Sequence, residues 1–166
     1  SGIGLQICHS LATRGYNVIL TSRSEDKLKS ISEQIRSKYK VESNFFPTDL
    51  ADKNGPQNIF NFCRSNNYHI DILINNAGYA LPESFEKNSV EDEEKCIRVL
   101  GTSVISLTKL FVREMIKKKQ GKIMIVSSVA AFAPPAAIQV MYGPLKTFMN
   151  RFSDALNMNY NSFGIC

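Results

Sequence analysis

The sequence predicts an α/β fold, a doubly wound parallel sheet covered by helices on both faces. Three observations predict it. Short apolar runs at 16–21, 41–46, 70–74 and 123–126 alternate with longer stretches whose apolar residues recur at helical spacing. Ile123, Met124, Ile125 and Val126 follow one another without a polar residue, which suits a strand buried on both faces. The 166 residues contain no internal repeat, low-complexity segment or linker, so 1–166 reads as one domain with a sizeable core.

Taken in order, Ile3, Ile7 and Leu11 mark a first helix that Gly15 ends. Tyr16 to Thr21 is a strand, and Ser22 to Asp26 a polar turn. Leu28, Ile31 and Ile35 define an amphipathic helix to about Tyr39. Val41 to Phe46 is a strand closed by Pro47, Thr48 and Asp49. Ile59, Phe60 and Cys63 belong to a third helix over 55–63. Ile70 to Ile74 is a strand, and Asn75-Asn76-Ala77-Gly78 follows it at once. Residues 79–89 are mostly loop. Ser89 can cap a long helix whose first turn carries Glu91, Asp92 and Glu93, acids suited to its positive end. That helix runs to the lysines at 117–119. After the 123–126 strand come Ser127 and Ser128, the pair Pro134-Pro135, and a last helix with Phe148, Met149, Phe152 and Leu156. Phe163 to Cys166 reads as entry into a further strand.

Composition excludes some classes. The chain is 43% hydrophobic and 21% charged, ordinary for a globular protein. No apolar run reaches membrane-spanning length. The net charge is +5, but no aromatics interleave the lysines, so nucleic acid is not an expected partner. Cys8, Cys63, Cys96 and Cys166 lack metal-ligand spacing, and His9 and His69 are isolated, so no metal is expected. Scattered free thiols fit a reducing compartment, and the expected location is cytoplasmic.

The chemistry centres on 121–146. Tyr142 and Lys146 stand four apart and share a helix face. An ammonium beside a phenol favours the phenolate and makes the phenol a stronger acid. A hydroxyl at a strand's C-terminal end, as at Ser128, could hold a carbonyl oxygen against that phenol. Tyr-x-x-x-Lys alone is also compatible with a packing tyrosine and a surface lysine. At the other end, Gly2 and Gly4 stand where a strand would turn into a helix, a place that admits a pyrophosphate to the backbone and to the helix N-terminus.

These motifs carry a resemblance. Ser1-Gly-Ile-Gly looks like the tail of the glycine-rich turn of the short-chain dehydrogenase/reductase family. Leu11-Ala12, Gly15 and the Val18–Leu20 strand follow at the family's spacing. Asn75-Asn76-Ala77-Gly78 resembles its second signature, and Ser128, Tyr142 and Lys146 resemble its catalytic serine, tyrosine and lysine. The resemblance covers essentially the whole chain in order. The run Ile74 to Gly78, the segment 85–100 and the run Phe152 to Leu156 look most like bacterial-type members.

The resemblance implies a Rossmann-like sheet, incomplete at both ends: a fragment lacking the first strand and the C-terminal part. It implies hydride transfer between NADP(H) and a small-molecule carbonyl or alcohol. The cofactor residues would be Gly2, Ile3, Gly4, Arg23, Asp49, Asn75, Ala77, Gly78, Tyr142 and Lys146. Arg23, cationic where an acid would accept the ribose hydroxyls of NAD, favours NADP. Asp49 would contact adenine, and Asn75, Ala77 and Gly78 would lie along the nicotinamide riboside. Tyr142 would exchange the proton, Lys146 would assist it and bind the ribose, and Ser128 would hold the substrate oxygen. The resemblance also allows a homo-oligomer.

Three departures stand out. Leu100 takes the place where the family usually has an asparagine that anchors a relay water, and leucine cannot hydrogen-bond. Ser128 lies fourteen residues before Tyr142, one more than the commonest spacing. Gly143-Pro144 sits where small helix formers are usual, and the Tyr–Lys register survives if Tyr142 lies at the helix start. These departures keep a second expectation open, a catalytically silent remnant or structural protein that retains the fold.

Overall fold

The computed structural model describes residues 2–134 and 140–166, so Ser1 of the opening glycine turn and Pro135 of the proline pair lie outside the described residues. The chain divides into two compact units, Ser1–Asp49 and Leu50–Cys166.

The first unit runs α1 (Gly2–Thr13), β1 (Val18–Ser22), α2 (Glu25–Tyr39), β2 (Ser43–Pro47). β1 and β2 are parallel, with Val18 opposite Ser43 and Ser22 opposite Pro47. Val18 and Leu20 point to one face of β1 and meet Leu28 and Ile35 of α2 and Ala12 of α1 in a buried cluster. Burying such side chains stabilises by about 1.5–3 kcal/mol each. Ser32, fully buried on α2, donates its hydroxyl proton to the Ser43 carbonyl at 2.6 Å and pins the helix to the start of β2. α2 ends where Lys40 turns left-handed and its amide reaches the Arg36 carbonyl.

The second unit runs α3 (Gly55–Ser65), β3 (Ile72–Asn75), α4 (Val90–Ile97), a π turn (Arg98–Thr102), α5 (Ser103–Lys118), β4 (Lys122–Ile125) and α6 (Tyr142–Tyr160). β3 and β4 are parallel, Ile72 opposite Lys122 and Asn75 opposite Ile125. α3 packs on α5, where the Phe60 and Phe111 rings meet edge to face at 5.3 Å. Cys96, Leu100, Val104 and Met149 form a buried cluster, flanked by Ile125, Tyr142 and Leu145. The expected strand at the end of the chain is a single parallel bridge: Ile165 pairs with Gly121, and the Ile123 amide donates to the Cys166 carbonyl.

Three expectations need correction. Each strand begins or ends one or two residues away from its apolar run, because pairing with the partner strand sets the ends. β4 is not buried on both faces: Ile123 and Ile125 are half-buried and Met124 is 49% exposed. The long helix after Ser89 is not continuous. At the π turn the Ser103 amide reaches back five residues to the Arg98 carbonyl. The extra residue per turn rotates Val99, Leu100 and Gly101 together into the interior.

Candidate active site

β3 and β4 end side by side, and the Val126 amide donates to the Asn75 carbonyl at 2.9 Å, so the segments 75–78 and 126–128 leave the sheet together. That carboxyl edge is where parallel sheets bind ligands. Asn75 is buried, and its side-chain amide donates to the Thr108 hydroxyl of α5 at 3.2 Å. Its Oδ1 is buried and has no partner among the described residues. Gly78 lies directly over α5's preceding turn: a Cβ there would stand 2.6 Å from Leu100 Cδ2 and 3.6 Å from Lys146 Nζ. Only glycine passes that point without moving a buried leucine.

Lys146 is 3% exposed. Its ammonium donates to the Val126 carbonyl at 2.8 Å and lies 5.6 Å from the centre of the Tyr142 ring. Burial pushes its pKa below the ordinary lysine range, while the nearby Cys96 thiol acts the other way. Ser127 donates to the Lys146 carbonyl at 3.2 Å, fastening the strand end to α6. The Ser128 oxygen accepts from the Ala130 amide at 3.2 Å, which leaves its hydroxyl proton to donate elsewhere. Ser128, Tyr142, Lys146 and Gly78 thus gather at one edge of one unit.

The helix start accommodates the Gly143-Pro144 departure. α6 begins at Tyr142, so Pro144 falls in the first turn, where a helix leaves its amides unpaired in any case. Gly143 has a use that sequence reasoning missed. A Cβ there would crowd the Ala130 carbonyl at 3.3 Å, and one turn later Thr147 donates to the Ala131 carbonyl. These two residues clamp α6 onto the short turn that carries Ser128. Their i, i+4 spacing on the tyrosine's helix was the available signal.

Leu100 lies in the interior of the same unit. It is fully buried in the apolar cluster and packs beneath Gly78. Its side chain serves as a floor for the loop after β3, a packing role in place of the water anchor's.

In the first unit, Gly2 opens α1 with φ +61 and open space around it, and no acid stands in the first turn. Ile3 is 64% exposed and Gly4 is half-buried. Arg23 and Asp49 follow β1 and β2 at the same edge, where the Thr48 amide donates to the Ser22 carbonyl at 2.8 Å. Both are exposed, and Arg23 has no ion pair among the described residues.

A family model described as short chain dehydrogenase matches residues 1–166. The very-long-chain 3-oxoacyl-CoA reductase of Bos taurus is 32% identical over 170 residues, covering 99% of this chain and 53% of the relative. Hydroxysteroid dehydrogenase-like protein 1 of Gallus gallus is 35% identical over 167 residues, covering 99% and 50%. The chain therefore spans about half the length of the curated relatives it matches. Among solved structures, a short-chain dehydrogenase from Sphingobium yanoikuyae in complex with NADPH superposes with a TM-score of 0.93 at 28% identity, covering 99% of this chain and 64% of that one. With the motifs in register and the family match running from end to end, the chain belongs to the short-chain dehydrogenase family.

Proposed function

We propose that this protein is an oxidoreductase that moves a hydride between NADP(H) and a small-molecule carbonyl or alcohol. The observation that carries the reading is the grouping of Ser128, Tyr142 and a buried Lys146 at the carboxyl edge of β3 and β4.

The residues present fit the cofactor. Gly2 gives an open, left-handed backbone at the start of a twelve-residue helix. Such a start suits a pyrophosphate. Arg23, exposed and without an ion pair among the described residues, suits a 2′-phosphate, which supports NADP over NAD. Ile3, Gly4 and Asp49 would border the adenosine end, and Asn75, Ala77, Gly78 and Lys146 the nicotinamide riboside. A nicotinamide supplies or takes the hydride when bound.

The chain's own residues handle the oxygen and its proton. Ser128 donates its free hydroxyl proton to the substrate oxygen, and this bond strengthens as negative charge develops there. Tyr142 gives its proton to that oxygen in reduction and takes one in oxidation. The Lys146 ammonium lies 5.6 Å from the centre of the tyrosine ring, a positive charge beside the group that exchanges the proton. The Val126 carbonyl fixes where that charge stands. Four free thiols support a reducing, cytoplasmic setting.

Titration of NADPH by the fluorescence of the bound nicotinamide tests the cofactor site, with Lys146→Ala expected to weaken binding and abolish turnover together. Turnover is sought on a panel of ketones and aldehydes that includes a 3-oxoacyl thioester and a ketosteroid, after the relatives' names. The apolar Leu100 favours a second reading, a silent remnant of the fold. NADPH binding with no turnover on any member of the panel supports that reading.

A further inference from the structure

We propose that Thr147 is a positioning residue for Ser128: its hydroxyl holds the short turn behind that serine against the helix that begins with Tyr142. The inference rests on the oxidoreductase reading above and adds to it a residue that acts through Ser128.

Ser128 stands outside regular structure. β4 ends at Ile125, and the serine comes just before a single short helical turn, Val129–Ala131. That turn is closed by its own bonds: the Ala131 amide donates to the Ser128 carbonyl at 3.1 Å, and the Phe132 amide to the Val129 carbonyl at 3.0 Å. The Ser128 side-chain oxygen accepts from the Ala130 amide, so the serine moves with the turn. Val129 is 85% exposed and Phe132 83%, so apolar packing does little to hold it. Where the turn stands is decided by what it is tied to.

The ties come from α6, and they lie on both sides of the serine. On the strand side, the Lys146 ammonium donates to the Val126 carbonyl, and the Lys146 carbonyl accepts from Ser127. On the far side the Thr147 hydroxyl donates to the Ala131 carbonyl at 3.1 Å. Ser128 thus hangs between anchors at 127 and 131, held by two consecutive residues of one helix. A helical threonine ordinarily bonds the carbonyl four residues back, and the Gly143 carbonyl lies at the same 3.1 Å. The hydroxyl proton is therefore shared between its own helix and the turn. Gly143 lets the two segments come this close, since a Cβ there would stand 3.3 Å from the Ala130 carbonyl oxygen. These ties bypass the chain between Ser128 and Tyr142, so its extra residue does not set the distance between the two.

The Ser128 hydroxyl has to meet the substrate oxygen at the point where the Tyr142 proton arrives. A donor displaced from that point loses the stabilisation it gives the developing charge. Thr147 is itself exposed, so removing its hydroxyl leaves the core intact and the effect falls on the turn.

Thr147→Val keeps the shape and removes the donor. In the whole protein, with NADPH and the best carbonyl of the panel, kcat should fall about 10-fold, below the roughly 100-fold that a displacement of a full ångström can cost. Ser128→Ala should lose about 100- to 1,000-fold, the range of a missing oxyanion donor. NADPH affinity and the urea midpoint of Thr147→Val should match the wild type's, and Thr147→Ser, which keeps the hydroxyl, should restore kcat. In a Ser128→Ala background Thr147→Val should cost nothing more, because it acts through the serine. Wild-type kcat in Thr147→Val beside an impaired Ser128→Ala overturns the proposal, and so does wild-type kcat in Ser128→Ala. An equal loss with and without Ser128, or a Thr147→Ser protein as slow as Thr147→Val, also overturns it and marks a structural role alone. No turnover of the panel by the wild type, or wild-type turnover in Tyr142→Phe, overturns the underlying reading and the positioning role with it.

Discussion

Gly78 and Leu100 form a tight contact whose cost can be measured. Adding a methyl group in Gly78→Ala places it 2.6 Å from a fully buried leucine. Overpacking of this kind costs about 1–3 kcal/mol. The urea midpoint should fall, and Leu100→Val in the same chain should recover part of the loss, since neighbours in contact do not add. Independent, additive losses would mean the two do not touch. Arg23 makes a second prediction at this scale. Arg23→Ala should weaken NADPH binding more than NADH binding, because only NADPH carries the extra phosphate. Equal losses in parallel titrations would reject Arg23 as the phosphate reader and turn attention to Lys27.

At the scale of elements, α6 and the π turn make contrasting predictions. Pro144 lies in the first turn of α6, so Pro144→Ala should shift the unfolding free energy by less than about 1 kcal/mol, against about 3 kcal/mol for a proline in a helix interior. Leu100→Asn should do the opposite of opening a proton route. It removes a fully buried leucine and puts an amide among apolar side chains, at a cost of about 2–5 kcal/mol in urea unfolding. The order of elements was legible because apolar spacing switches cleanly between strand-like runs and helical stripes. Ser128, Tyr142 and Lys146 were legible because each lies just past a strand or on a helix face. The π turn was not legible, since Val99, Leu100 and Gly101 read as one more turn of an ordinary helix. Nor was the enclosure of Glu93, which in sequence is one of four successive acids, Glu91 to Glu94; only the fold buries its Oε2.

The molecule as a whole should show a thiol's signature in its pH dependence. Burial pushes the Cys63 thiol from its ordinary 9.0 up to about 11. Between those values the folded chain keeps a proton that the unfolded chain has lost, so stability from this group falls as pH rises through the window. The buried Lys146 works the other way. Its pKa is lowered, so its burial costs stability while the group is charged, and that cost is relieved as pH climbs toward the ordinary 10.5. Cys63→Ser separates the two: from pH 9 to 11 its urea midpoint should fall less, or rise more, than the wild type's. Identical pH profiles would show that Cys63 does not titrate differently on folding.

The central claim is that Tyr142 handles the proton of a hydride-transfer reaction while the cofactor site stands apart from that duty. The most direct measurement follows NADPH oxidation with the best carbonyl of the panel, alongside NADPH fluorescence, in the wild type and in Tyr142→Phe. The account predicts a loss of about 100- to 10,000-fold in turnover, the range of a general acid, with NADPH binding retained. A Tyr142→Phe protein that turns over at the wild-type rate would contradict it.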